Sequence, residues 1–98
     1  MSGLSLEIVT PHGRVLSETD VAKVVVRRFE ERFARGGQVI FLPHHGSETV
    51  HLGEGPLLYV SERGDTVRVD LGGGFAEIER DTVTVLAPSA TRGAGEAR

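Results

Sequence analysis

The four histidines are the clearest candidates for chemistry in this chain, because imidazole binds metals and exchanges protons near neutral pH. A catalytic zinc site usually takes three protein ligands and keeps one position open. His44 and His45 are adjacent, so they would point to opposite faces of an extended segment, while His12 and His51 fall on other predicted elements. The chain has no His-x-His-x-Asp cluster. We therefore predict turn or interface histidines and no metal site.

Glycines 72–74 are a second candidate, since glycine-rich loops bind phosphates. Such loops lead from a strand into a helix N-terminus, whereas residues 75–78 have the pattern of a strand. A structural corner is the simpler interpretation. Glu77 and Glu79 would share one strand face, which is typical of a solvated surface. The sequence thus predicts no catalytic residue, no cofactor and no enzyme activity of the chain on its own.

The composition is that of one small globular domain. Its 98 residues fit a single domain, and no apolar run approaches the ~20 residues that a membrane span needs. Without cysteine, a disulfide framework and a thiolate metal site are excluded. A net charge of −3 gives no indication of a nucleic-acid-binding surface. We predict a cytoplasmic protein without a nucleic-acid partner and without direct membrane insertion.

Alternating apolar and polar residues predict that β-strands carry these groups. Leu4, Leu6 and Ile8 alternate with other residues in the pattern of a half-buried strand. Residues 57–69 read as a hairpin around a short turn that contains glycine. Similar signals recur along the chain and predict about eight to ten short strands without a long helix. The expected fold is therefore an all-β sandwich.

Several of these strands are expected to be separated by turns and glycines. We predict turns at residues 17–20 and 53–56, and a glycine corner at 72–74 that stops a strand ladder. Phe75 follows this corner directly. It is predicted to be a large apolar anchor.

The segment 27–35 is compatible with two structures. Phe29 and Phe33 are four residues apart, which would align them on one helical face. With Glu31 between them they would also share a strand face, which favours a protruding loop or ragged hairpin. The four arginines of this segment are interleaved with glutamates, so a solvated loop is the simpler interpretation than a nucleic-acid patch.

The composition changes at Pro88, because residues 88–98 contain no large apolar side chain. Such a segment cannot offset the entropy lost on ordering. We predict a domain over residues 1–87 and a flexible, disordered tail over 88–98.

Five blocks of the sequence together match a known pattern. The most specific is GGFAEI at residues 73–78, followed by VTVLA at 83–87. The other four lie at residues 6–13, 24–26, 42–45 and 53–58. In this order they resemble the N-terminal β-sandwich of the epsilon subunit of rotary, F-type ATP synthases, over residues 4–87.

This resemblance implies a two-sheet β-sandwich of about ten short strands in a non-catalytic rotor subunit of the central stalk. It implies the gamma subunit and the membrane c-ring as partners, in a complex that couples proton or sodium flow to ATP synthesis or hydrolysis. The chain would then be peripheral to the inner membrane, on its cytoplasmic side. By position, Thr10, His45 and Val50 would lie at the gamma-subunit interface, and Glu30 and Glu31 in a loop that faces the c-ring.

The sequence departs from the family pattern at two places, which predicts a variant ATPase branch. The segment 27–38 replaces a shorter glycine-rich loop, and Gly46 and Ser47 stand where Ala-Pro is usual. Residues 90–98 are faintly similar to the start of the family's C-terminal helical hairpin. The stretch 88–98 is thus either a disordered tail or the stub of that hairpin. We expect neither ATP binding nor self-inhibition by this chain.

Two other functions remain open. The first is a small β-sandwich protein-binding module that acts through the loop of Phe29 and Phe33. The second, which the sequence favours least, is a metal-dependent hydrolase around His44 and His45.

Overall fold

The structure, a computed structural model, describes residues 3–29 and 37–93. Its regular elements in these residues are all β-strands, so the all-β prediction is confirmed. The strands are β1 (Leu4–Thr10), β2 (Gly13–Arg27), β3 (Gln38–Phe41), β4 (Glu48–Ser61), β5 (Thr66–Glu79), β6 (Thr82–Leu86) and β7 (Ala90–Arg92).

The strands form one hydrogen-bonded ladder that closes on itself. Its order is β1-β6-β5-β4-β2, and β2 pairs again with β1. The pairing of β1 with β6 is parallel, and the others in this ring are antiparallel. Strand β3 is attached to β2, and β7 to β5. Closure leaves few free strand edges and makes the described part of the chain a continuous unit.

The described residues contain seven strands in one ladder, rather than about ten in two separate sheets, because three strands are long. Strands β2, β4 and β5 contain 15, 14 and 14 residues. They run through the turns predicted at 17–20 and 53–56 and through the glycines at 72–74. The segment around residues 53–56 of β4 pairs with the glycines at 72–74 of β5, with Leu52 opposite Gly74 and Glu54 opposite Gly72. Glycine keeps its backbone donor and acceptor, so the ladder bends there and does not stop.

The glycine bend in β5 exchanges the inner and outer faces of the strand. Gly73 and Gly74 have φ angles of 91° and 114°, which side-chain-bearing residues adopt at a cost. Before the bend Leu71 is buried, and after it Ala76 is buried, so the alternation shifts by one position. Phe75 consequently points outward and is 50% exposed. The large apolar anchor predicted at Phe75 therefore does not lie in the core.

One contiguous core fills the interior of the ladder. Phe41 is its one fully buried aromatic ring, and the aliphatic side chains of every strand from β1 to β6 pack around it. Among the described residues, no polar or charged side chain is buried. The core of the described residues thus consists of apolar side chains together with the buried Tyr59.

The chain after Ala87 continues the fold instead of leaving it. Strand β7 pairs with β5 through residues such as Thr91 and Asp70, and the N–H of Gly93 donates to the carbonyl of Arg68 at 2.8 Å. The prediction of disorder from Pro88 onward is wrong for these residues. Their low apolar content is compensated because the edge of β5 supplies hydrogen-bond partners. Residues 94–98 lie outside the described part.

The predicted loop or helix at 27–35 is described only at its base. Arg27 pairs with Gln38, and the N–H of Arg28 donates to the carbonyl of Gly37 at 2.8 Å. The chain therefore leaves and returns between two antiparallel strands. Glu30, Glu31 and Phe33 lie outside the described residues. Over residues 3–29 and 37–93, no helix has the length and hydrophobicity to cross a membrane.

Candidate interaction surface

An outward-facing row of mostly apolar side chains crosses the sheet from the end of β2 to β1. The N–H of Phe29 donates to the carbonyl of His51 at 2.8 Å. His51 pairs with Phe75, Phe75 with Leu86, and Leu86 with Val9. We call these five residues the aromatic row.

Strand pleating explains why this row faces outward. Each row member that lies in a strand is next in sequence to at least one buried residue. His51, for example, lies between the buried Val50 and Leu52. Phe29, Phe75 and Leu86 are 43%, 50% and 54% exposed. They are three of the six large apolar side chains that are exposed in the described part of the chain. Their concentration in one row indicates a surface that a partner covers.

The rings of the row are already ordered in the free chain. The centroids of Phe29 and His51 are 4.5 Å apart, and those of His51 and Phe75 are 4.8 Å apart. The interplanar angles are 25° and 18°, so both contacts are stacked. Stacked aromatic pairs contribute about 0.5–1.5 kcal/mol beyond their buried area. The row is therefore a preorganised surface, which lowers the entropy cost of binding.

A polar, acid-containing row lies beside the aromatic row on the same face. It consists of Thr49, Glu77, Thr84 and Glu7, which are cross-strand neighbours in this order. Glu7 is partly neutralised by Arg14, at 2.6 Å from Nε to Oε2. An apolar strip with a polar margin is the usual composition of a protein–protein interface.

Thr10 and Val50, two of the three residues predicted at the gamma-subunit interface, adjoin the aromatic row in sequence. Thr10 ends β1 next to Val9, and its Oγ1 accepts the N–H of His12 at 3.1 Å. Val50 precedes His51, but it is buried in the core at 1% exposure. The alternation of β4 turns that side chain inward, so Val50 itself offers a partner almost no surface, and its place at the gamma-subunit interface stays a prediction.

His45, the third predicted interface residue, lies at the other end of the sheet. Its ring packs edge-on against Phe41 at 5.2 Å, and its Nε2 is 3.5 Å from Oε1 of Glu48. Glu48 begins β4, whereas Thr10 ends β1, and these two strand segments run in the same direction. The structure therefore does not bring His45 and Thr10 together. Their roles at an interface stay predictions.

The histidines are not assembled into a metal site by the described residues, in which no group of three metal-type side chains converges. His44 has φ 66° and uses its backbone instead. Its N–H donates to Oδ1 of Asp81 at 2.7 Å, which ties the segment between β3 and β4 to the turn between β5 and β6. Asp81 itself has φ 62°.

Replacing Asp81 by alanine is expected to lower the free energy of unfolding by about 1–2 kcal/mol, since a hydrogen bond to a charged acceptor is lost. Asp81→Asn keeps an oxygen acceptor and tolerates the left-handed backbone, so it should have a clearly smaller effect. Urea unfolding of the two variants checks this. Equal losses for both would show that the His44 contact does not stabilise the fold.

The sequence did not reveal the aromatic row as a unit. It singled out Phe29 and Phe75 separately, and it treated His51 as one of four scattered histidines. Their juxtaposition depends on the registers of β4, β5 and β6, which no local pattern specifies. Alternation of Val50 and Leu52 was the one available signal, since it places His51 on the opposite, outer face.

The matching family model is "ATP synthase, Delta/Epsilon chain, beta-sandwich domain", and it matches residues 3–93. The chain is 43% identical over 94 residues to the ATP synthase epsilon chain of Syntrophobacter fumaroxidans, which covers 95% of this chain and 63% of the relative. It is 44% identical over 89 residues to the epsilon chain of Nitratidesulfovibrio vulgaris, covering 91% of this chain and 60% of the relative. The chain thus spans about three fifths of the length of these relatives.

Solved structures show the same fold. A chain of the Euglena gracilis mitochondrial ATP synthase, in a cryo-EM structure of OSCP, F1 and c-ring, matches with a TM-score of 0.81 at 22% identity over 94% of this chain and 54% of that chain. A chain of the Tetrahymena thermophila mitochondrial ATP synthase central stalk and c-ring matches with a TM-score of 0.69 at 12% identity, over 92% and 68%. At these identities, the two likenesses concern the fold alone. The family match covers nearly the whole chain and agrees with the five sequence blocks, and this chain belongs to the family of ATP synthase delta/epsilon-chain β-sandwich domains.

Proposed function

We propose that this chain acts as a non-catalytic rotor subunit of the central stalk of an ATP synthase, where it links the gamma subunit to the membrane c-ring. The observation that carries the proposal is the family match over residues 3–93. The relatives at 43% and 44% identity are epsilon chains of ATP synthases. In this role the chain couples proton or sodium flow to ATP synthesis or hydrolysis on other subunits. It is then peripheral to the inner membrane, on its cytoplasmic side.

The closed ladder suits a subunit that transmits torque. A mechanical link must move as one body, and it loses work if its layers slide. Here the long strands β2, β4 and β5 pair with each other and with the rest of the ring. Because backbone hydrogen bonds run continuously around the domain, shear between layers would break several of them at once.

The aromatic row is the surface that we assign to the gamma subunit. It has an ordered apolar centre and an acid-containing margin. Thr10, a predicted gamma contact, lies next to its member Val9. For the c-ring we keep Glu30 and Glu31, which lie between β2 and β3 and outside the described residues. In this division the two assigned sites adjoin where Phe29 is followed by Glu30.

Co-expression with the gamma subunit of the same organism tests the proposal. We expect a stable complex with one copy of each chain in size-exclusion chromatography, because the row is preorganised and apolar at its centre. The chain alone is the reference for the elution volume. Elution of the two chains as separate peaks at micromolar concentration would contradict the rotor assignment and leave only the fold.

The alternative, a protein-binding module that acts through the Phe29/Phe33 segment, is favoured by the exposure of Phe29. Shortening residues 30–36 to a tight turn discriminates between the two functions, since it keeps the paired bases at Arg28 and Gly37. A rotor subunit should keep gamma binding and lose coupling to the c-ring. A module that uses this segment should lose its partner entirely.

A further inference from the structure

His51 is the one ionisable side chain of the aromatic row, and it occupies the middle of the stack. Phe29 lies on one side of its ring at 4.5 Å and Phe75 on the other at 4.8 Å. His51 as a residue is exposed in the free chain. Any partner that covers both phenylalanines must therefore also cover this imidazole.

Covering the row affects the two protonation states of His51 differently. The neutral imidazole loses less hydration than the charged form, because it carries no net charge and its two flat faces are already packed in the free chain. The imidazolium loses the water that solvates its charge, and burial of a charge without a partner is strongly unfavourable. Cation–π attraction to the two phenylalanine rings favours the imidazolium. That attraction is already present before docking, because the stack exists in the free chain, so it changes less on docking than hydration does.

The charged groups around His51 in the described residues do not reverse this difference. On β5, Glu77 is on the same outer face as Phe75 and pairs with Thr49. At the end of β2, Arg28 approaches Glu48 at 3.9 Å. On β4, the outward neighbours of His51 are Thr49 and Gly53, which carry no charge. Glu77 is exposed and belongs to the polar margin. The rim of an interface stays accessible to solvent, where a carboxylate attracts a neighbouring charge only weakly.

We propose that His51 makes docking of the gamma subunit on the aromatic row pH-dependent, because the row is covered favourably only when the stacked imidazole is neutral. The inference rests on the proposed function, in which the row is the gamma-docking surface. A lower pH then lowers the affinity of the row for the gamma subunit. Alkaline pH leaves the affinity at its maximum.

The sign follows from proton linkage. If the partner binds only the neutral form, association releases a proton wherever the free histidine is charged. Histidine is the side chain that ordinarily changes charge between about pH 5 and 8, so the dissociation constant should rise roughly tenfold on acidification from about pH 8 to about pH 5.5.

The test is the affinity of the whole chain for the purified gamma subunit at about pH 8, 6.5 and 5.5, measured by isothermal titration calorimetry in two buffers of different ionisation enthalpy. We expect the roughly tenfold weakening and a net proton release near pH 6.5. His51→Gln should bind with a flat pH profile. His44→Asn, which removes a histidine held at the turn between β5 and β6 and introduces a residue that tolerates a φ of 66°, should keep the slope. Circular dichroism at the lowest pH confirms that each chain is folded.

The outcomes separate the inference from the proposed function. A complex whose affinity does not change with pH, or whose slope persists in His51→Gln, overturns the role of His51 and leaves the rotor assignment in place. Proton uptake on binding also overturns it, since the covered histidine would then be charged. If no complex forms at any pH, the proposed function fails, and the inference fails with it.

Discussion

Replacing Gly74 by alanine is expected to lower the free energy of unfolding by about 3 kcal/mol or more. The φ angle of Gly74 is 114°, a backbone conformation that residues with a side chain rarely adopt. A Cβ there would also overlap the carbonyl oxygen of Leu86 and come within 2.8 Å of the Cα of Ala87. Both are backbone atoms of the neighbouring chain segment. They cannot move away without breaking the pairing of Phe75 with Leu86.

The free energy of unfolding of a small domain is about 5–15 kcal/mol, so this one methyl group removes a large part of it. Thermal unfolding should shift downward by about 12 °C or more. Gly13→Ala is the matched control, since Gly13 has a φ of 119° but no atom within 4 Å of the added Cβ. Gly13→Ala should lower the free energy of unfolding only by the strain of placing alanine at a positive φ. Gly37→Ala, with open space and no positive φ, should be neutral or slightly stabilising.

A loss for Gly74→Ala that is no larger than the loss for Gly13→Ala would contradict the predicted steric overlap. The backbone of Leu86 and Ala87 could then move away from the added Cβ at little cost. Comparison of the two variants by urea unfolding separates backbone strain from steric overlap, because the two glycines share their φ region and differ only in their surroundings.

Local features of this fold were predictable from the sequence, and long-range ones were not. The hairpin at residues 57–69 is confirmed, with Leu57 opposite Val69 and Val60 opposite Thr66, because it joins neighbouring segments by a short glycine-containing turn. The glycines at 72–74 were predicted to stop a strand ladder, which is wrong, since β5 runs through them and Gly73 and Gly74 only take unusual φ angles. Their pairing with residues 52–54 was missed. It joins segments about twenty residues apart, and a glycine cluster in isolation indicates an interruption.

The candidate interaction surface was even harder to predict from the sequence. Val50 was placed at an interface by position in a family pattern, and its inward direction follows from the alternation with Leu52 on the same strand. His51 became important only when the register set it between Phe29 and Phe75. A row across several strands has no signature in any one of them. Strand pairing must be known before such a row can be recognised.

Replacing Phe75 by alanine is expected to weaken binding of the gamma subunit about 30-fold or more, which corresponds to a loss of at least about 2 kcal/mol at an aromatic interface centre. Phe75 lies between His51 and Leu86 in the row, and the partner would cover the exposed half of its ring. In the free chain the substitution removes one stacking contact, at 4.8 Å. The free energy of unfolding of the domain should fall by about 1–3 kcal/mol, since the stacking contact and the burial of half the ring are both lost.

The comparison with Ile40→Ala makes this prediction specific. Ile40 is 45% exposed, close to the 50% of Phe75, but it lies on β3 opposite Val25 and outside the aromatic row. Calorimetry with purified gamma subunit should therefore show unchanged affinity for Ile40→Ala and a large loss for Phe75→Ala, while thermal unfolding confirms that both variants fold. If Ile40→Ala weakens binding and Phe75→Ala does not, the gamma subunit docks on the face of β3. The row of stacked rings would then belong to another partner, since an ordered apolar strip of this kind is costly to leave in water.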